Sequence, residues 1–111
     1  MNSRFGRKDI LIIGDKIIAT IGVAAGIEAC IVDPNECELP DKIKGNITKY
    51  GVIIILENII EKCKNIKDLV YKYFDEILIV VIPPPERISE ADLKKHYREF
   101  IRKIIGLRIS F

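Results

Sequence analysis

Gly51-Val52-Ile53-Ile54-Ile55-Leu56 decides how this chain is read. The run has no polar side chain, and four consecutive members are β-branched, which is what a strand covered on both faces requires. Such a strand belongs at the centre of a parallel sheet. Upstream, Asp9-Ile10-Leu11-Ile12-Ile13-Gly14 is a second continuous apolar run and closes on Gly14-Asp15. Asp15 is placed to cap a helix reaching Gly26, with Ile17, Ile18 and Ile21 turned inward and Ala24 and Ala25 small enough for close packing. Residues 27–32 form another apolar strand, stopped by the turn residues Asp33-Pro34-Asn35. Residues 36–40 read as loop. Residues 41–50 read as a weak helix, because Gly45 and Asn46 interrupt the Ile43 and Ile47 face.

Downstream of the central run, Glu57-Asn58 opens a long helix over residues 57–74. Its inner stripe is Ile59, Ile60, Cys63, Ile66, Leu69, Val70 and Tyr73, while Glu61, Lys62, Lys64, Lys67 and Lys72 fall on the wet side. Glu76-Ile77-Leu78-Ile79-Val80-Val81-Ile82 is the fourth strand. The alternation β-α-β-α-β-α-β predicts the α/β class: a small open parallel four-stranded sheet with right-handed crossovers, helices on both faces and the flavodoxin-like, receiver-like order 2-1-3-4.

Pro83-Pro84-Pro85 ends that domain, since none of the three has an N–H to give to a ladder and each fixes φ. The chain therefore divides into a short basic N-terminus (1–8), expected to be flexible, an α/β domain (9–82), a proline-rich hinge (83–88) and a detached C-terminal amphipathic helix and tail (89–111). In the last part Ser89 is an N-cap, Glu90 and Asp92 are acidic in the first turn, Arg102 and Lys103 are basic near the end, and Gly106 is placed to close the helix. Leu93, Tyr97, Phe100, Ile101 and Ile104 recur at three- and four-residue steps and make one apolar stripe. An isolated helix of about fifteen residues is marginal in water, so the stripe needs a surface. Two surfaces qualify: a partner's, reached through the hinge, or the chain's own domain.

A chain of 111 residues suits one domain that folds without disulfides. Roughly two dozen isoleucines, no Gln and no Trp resemble thermophile usage, in which thermolabile amides are scarce. The formal charge of +2 is uneven: residues 1–8 carry +3, residues 86–108 carry +3, and residues 9–85 carry −4. An acidic domain whose basic segments hold only Tyr97 and Phe100 as aromatic platforms argues against nucleic-acid binding. Cys30, Cys37 and Cys63 are odd in number and lack C-x-x-C spacing, so they read as free thiols in a reducing cytoplasm, with a Cys30 to Cys37 bridge as the lesser alternative. The hydrophobic stretch over residues 10–32 is cut by Asp15-Lys16 and Glu28. Its uncharged core is well short of the ~20 residues a bilayer needs, and no membrane insertion is expected.

A ligand of an open α/β sheet binds beyond the carboxyl ends of its strands, where Asp15, Lys16, Glu57 and Asn58 gather. That set resembles the acidic pocket of a receiver domain, but the third strand ends Leu56-Glu57 rather than in the Asp that takes a phosphoryl group, and Asp15-Lys16 stands where adjacent acids belong. Gly14-Asp15-Lys16 lacks the glycine spacing of a nucleotide loop. His96, the one histidine, has no Cys or His at i±4 and reads as a surface or stripe-edge residue. Ser3, Ser89 and Ser110 have no His-Asp set near them in sequence. No catalytic residue, cofactor or metal site is expected. A receiver-like signalling or ligand-binding domain, or a general interaction module of the same fold, is the alternative reading.

Ile10-Leu11-Ile12-Ile13-Gly14-Asp15-Lys16, the helix ending Ala24-Ala25-Gly26, Tyr50-Gly51-Val52-Ile53-Ile54-Ile55-Leu56-Glu57-Asn58-Ile59, Val80-Val81-Ile82-Pro83 and the tail Ile101-Arg102-Lys103-Ile104-Ile105-Gly106-Leu107-Arg108-Ile109 together resemble the F-subunit family of archaeal A-type and related vacuolar-type rotary ATPases. The chain departs from that family's pattern at Ile17-Ile18, at Ile21-Gly22 and in its proline triplet. The resemblance implies a non-catalytic component of the central stalk, cytoplasmic and peripheral to the membrane. It would bind the coiled-coil D-subunit of that stalk, contact the catalytic head, and modulate the coupling of ATP hydrolysis or synthesis to ion transport through its C-terminal helix. Leu93, Tyr97, Phe100, Ile101 and Ile104 would then be the partner-binding residues, and Pro83, Pro84 and Pro85 the hinge.

Overall fold

Residues 9–83 and 89–109 are described by a computed structural model, with side chains as far as Gly106. The N-terminus 1–8 and most of the proline hinge, including Pro84 and Pro85, lie outside the described residues. Pro83 follows the last strand and is exposed.

The long apolar runs form the sheet. Strands β1 (Asp9–Gly14), β2 (Glu28–Ile31), β3 (Tyr50–Leu56) and β4 (Leu78–Ile82) lie in the order β2-β1-β3-β4. Every pair is parallel, with Ile13 opposite both Cys30 and Ile55, and Ile55 opposite Val81. The fold class and strand order expected from the sequence are therefore present. Val52, Ile53, Ile54 and Ile55 are fully buried, as are Leu11, Ile12 and Ile13. β3 is thus the centre of the core, as its composition requires.

The connections are helical. Helix α1 (Lys16–Ala24) follows β1, and the short α2 (Asp41–Gly45) with a 3-10 turn (Ile47–Lys49) replaces the single weak helix expected over 41–50. Gly45 and Asn46 fall at the break, where the sequence interrupts its own apolar face. At the end of α1, Gly26 takes a φ of 82°, and the Ile27 N–H donates to the Gly22 carbonyl at 2.8 Å, closing the helix.

Between β3 and β4 the expected continuous helix is two, α3 (Glu57–Lys62) and α4 (Lys64–Tyr71), broken at Cys63. Cys63 leaves helical geometry (φ −115°, ψ 82°) and is bonded to Cys37 in the loop after β2, with their Cα atoms 5.3 Å apart. This corrects the reading of all three cysteines as free thiols: Cys30 alone is free, buried in β2, and the bridge is not the Cys30 to Cys37 alternative. Spacing along the chain carried no sign of it because 26 residues separate the partners. The Asn65 side-chain amide donates to the Cys37 carbonyl at 2.9 Å and ties the same two segments.

The C-terminal helix α5 spans Glu90–Ile109. Ser89 caps it, its hydroxyl accepting from the Asp92 N–H at 3.2 Å. The helix continues through Gly106, so the expected stop there is corrected. A helical glycine costs only about 1 kcal/mol, and Gly106 is exposed with open space around it.

Candidate docking site

The site is built from α1 and α5, which pack against each other. Asp15 starts α1, its carboxylate accepting from the Ile18 N–H at 2.9 Å. That bond satisfies one of the orphan donors of the first turn and fixes where the helix leaves the sheet. Gly22 lets α1 approach β1, since a Cβ there would run into Cδ1 of Ile12. Ile18 and Gly22 lie against Gly14 and Ile12 of β1, and Ala19 is buried with them, while Ile17 and Ile21 line the space beside α5.

On α5 the predicted stripe faces the domain. Tyr97, Ile101 and Ile104 are 3%, 2% and 9% exposed, and Leu93 and Phe100 are half-buried against the same core. Of the two surfaces left open by the sequence, the chain uses its own. All five residues singled out for partner binding are brought together, three of them covered by this molecule and Leu93 and Phe100 half-covered. Burial, and then the nearby Asp15 carboxylate, push the Tyr97 phenol up to about 12.

His96 lies at the stripe edge and is half-buried rather than on the surface. Its ring meets Phe100 edge-on at 5.5 Å and Tyr97 at 5.9 Å, and its Nε2 is sealed without a hydrogen-bond partner among the described residues. Three- and four-residue counting places it beside the stripe but does not reveal that the aromatic neighbours would close over it.

Alongside the packed stripe runs a cleft of about 670 Å³. From α1 it takes Lys16, Ile17, Thr20, Ile21 and Ala24, with Ala25 just beyond, and from α5 Glu90, Lys94, Arg98, Ile101, Arg102 and Ile105. This feature was not legible in the sequence, because half of its wall depends on where α5 docks.

At the carboxyl end of the sheet, Asp15 and Glu57 follow the adjacent strands β1 and β3, as expected, and Lys16 and Asn58 are exposed beside them. Asp15 is engaged as a helix cap and Lys16 lines the cleft. Among the described residues no group of three or more His, Cys, Asp or Glu could hold a metal ion, and no helix is long and apolar enough to cross a membrane. At the opposite end of the sheet, burial and then a hydrogen bond from the Tyr50 hydroxyl to the Glu28 carboxylate raise the Tyr50 phenol above its usual range. Lys49 pairs with that carboxylate at 3.8 Å.

In comparisons with known proteins, no family model matches this chain and no curated protein matches it significantly.

Proposed function

We propose that this chain is a non-catalytic partner-binding component of the kind the resemblance implies: the central-stalk F-subunit of a rotary ATPase, joined to the coiled-coil D-subunit and acting through its C-terminal helix. The observation that carries the proposal is α5 itself. It is a 20-residue amphipathic helix, laid along α1 with a cleft left open beside it. Leu93, Tyr97, Phe100, Ile101 and Ile104 are each worth ~1.5 to 3 kcal/mol when covered. A partner helix pair that covers them equally well can exchange with α1 at little net cost, which is the condition for an arm with two docked positions.

Removal of residues 86–111 tests this directly. Because Tyr97, Ile101 and Ile104 belong to the core, the shortened protein is first checked by circular dichroism for an intact sheet; with the sheet intact, it retains the coiled-coil partner at least tenfold less well in a binding assay. Full-strength binding by the shortened protein takes the arm out of the mechanism.

A further inference from the structure

We propose that the cleft between α1 and α5 is a docking site for an acidic amphipathic helix of a partner protein. Three features of the cleft lead there. Its wall is apolar and stepped: Ile17 and Ile21 on α1 and Ile105 on α5 are half-buried, and the exposed Ala24 and Ala25 are small enough for a second backbone to come close. Its rim is cationic. Lys16, Lys94, Arg98 and Arg102 stand against a single acid, Glu90, which is already paired with Lys94 at 3.5 Å. Among the described residues Lys16, Arg98 and Arg102 take part in no ion pair. This patch is positive on a domain whose residues 9–85 sum to −4, so an acidic occupant is attracted here and repelled elsewhere on the surface.

The shape selects a helix. Two packed helices leave a furrow into which the side-chain ridge of a third fits. The nine residues of α1 extend it about 13 Å at the rise of a helix, room for some two and a half turns of a partner. A small amphiphile would instead need a site that buries most of its surface, whereas this cleft is only partly enclosed. Nucleic acid would find apolar side chains where stacking aromatics are needed.

The inference rests on the reading of the chain as a partner-binding component of a larger assembly, and it adds that the folded-back α5 supplies half of a composite surface. The probe is a hydrocarbon-stapled 15-residue helical peptide with Leu at the i, i+3, i+4, i+7 positions and Glu elsewhere. Its counterpart carries Lys in place of Glu, and binding is read by fluorescence anisotropy on the full chain. The Glu peptide binds saturably, at least tenfold more tightly than the Lys peptide, and weakens with added salt. Ala24→Trp, at an exposed position that leaves the core untouched, fills the trough and reduces binding at least tenfold while the circular dichroism spectrum is unchanged. Arg98→Glu with Arg102→Glu reverses the preference between the two peptides.

Equal binding of both peptides, no binding of either, full binding by Ala24→Trp, or binding to phosphatidylglycerol vesicles with none to the Glu peptide overturns the proposal. Failure here is separable from failure of the central-stalk reading. A dead cleft with partner binding still lost on removal of residues 86–111 leaves the arm in place and removes only the composite surface.

Discussion

Tyr97 of α5 is buried close to Asp15, the residue that caps α1, and the carboxylate adds to burial in opposing ionisation of the phenol. The two groups belong to different helices that pack on each other, so the titration of Tyr97 reports whether α5 is docked on α1. Its ordinary value of 10.0 applies when the arm is released, and about 12 when it is folded back. Below pH 10 the phenol is neutral in both states and docking is at full strength. Between pH 10 and 12 the released form ionises first, so docking weakens as pH rises, by on the order of 2 kcal/mol in all. Tyr50 titrates high as well, and comparison with Tyr97→Phe removes its contribution. The difference in unfolding free energy between the wild type and Tyr97→Phe is expected to shift by that amount from pH 9 to 12, and a constant difference would mean that Tyr97 is exposed in solution.

The bridge between Cys37 and Cys63 closes a loop across 26 positions and joins the loop after β2 to the break between α3 and α4. Constraint of the unfolded chain by a loop of this length is worth about 3 kcal/mol. Reduction, or Cys63→Ser, is expected to lower the denaturant midpoint accordingly, while Cys30→Ser leaves the sensitivity to reductant intact because Cys30 is outside the bridge. Denaturant titrations with and without dithiothreitol measure this. Identical midpoints would show that the thiols are unpaired in the purified protein.

Close approach of α1 to β1 depends on Gly22. Any side chain there meets Ile12, which is fully buried and cannot move aside into solvent. Gly22→Val is expected to cost about 1–3 kcal/mol by overpacking. It also displaces α1 outward and narrows the cleft beside α5. Thermal unfolding gives the first effect and weaker binding of the acidic peptide the second.

His96 offers a contrasting substitution. Its sealed Nε2 forgoes a hydrogen bond among the described residues, and a buried polar atom without a partner costs about 1–3 kcal/mol. His96→Phe keeps a ring beside Tyr97 and Phe100 while removing the polar atom. It is therefore expected to leave the protein as stable or to raise its denaturant midpoint. A large loss would point to a hydrogen bond formed by His96 in solution.

What the sequence revealed and concealed follows from the range of the interactions involved. β1 and β3 were legible almost to the residue, because a strand buried on both faces writes its environment into every position from Ile10 to Ile13 and from Val52 to Leu56. The stripe Leu93, Tyr97, Phe100, Ile101, Ile104 was legible as a buried face, since helical spacing reports burial without reporting against what. The break at Cys63, the bridge to Cys37 and the cleft were not, because each arises from residues distant in the chain and leaves no local periodicity. Continuation of α5 past Gly106 was hidden for the opposite reason: a local stop signal at an exposed position was outweighed by the helix around it.

The function proposed for this chain is to work by contact, through α5, within a rotary ATPase. The most direct measurement is affinity recovery of the tagged full chain from native membranes, followed by identification of what comes with it. Co-recovery of the coiled-coil stalk partner and the catalytic head is expected, with their yield falling when residues 86–111 are removed. Recovery of a kinase without any ATPase component, together with Mg²⁺ or acyl-phosphate binding abolished by Asp15→Ala, would contradict it and move the function to the carboxyl end of the sheet.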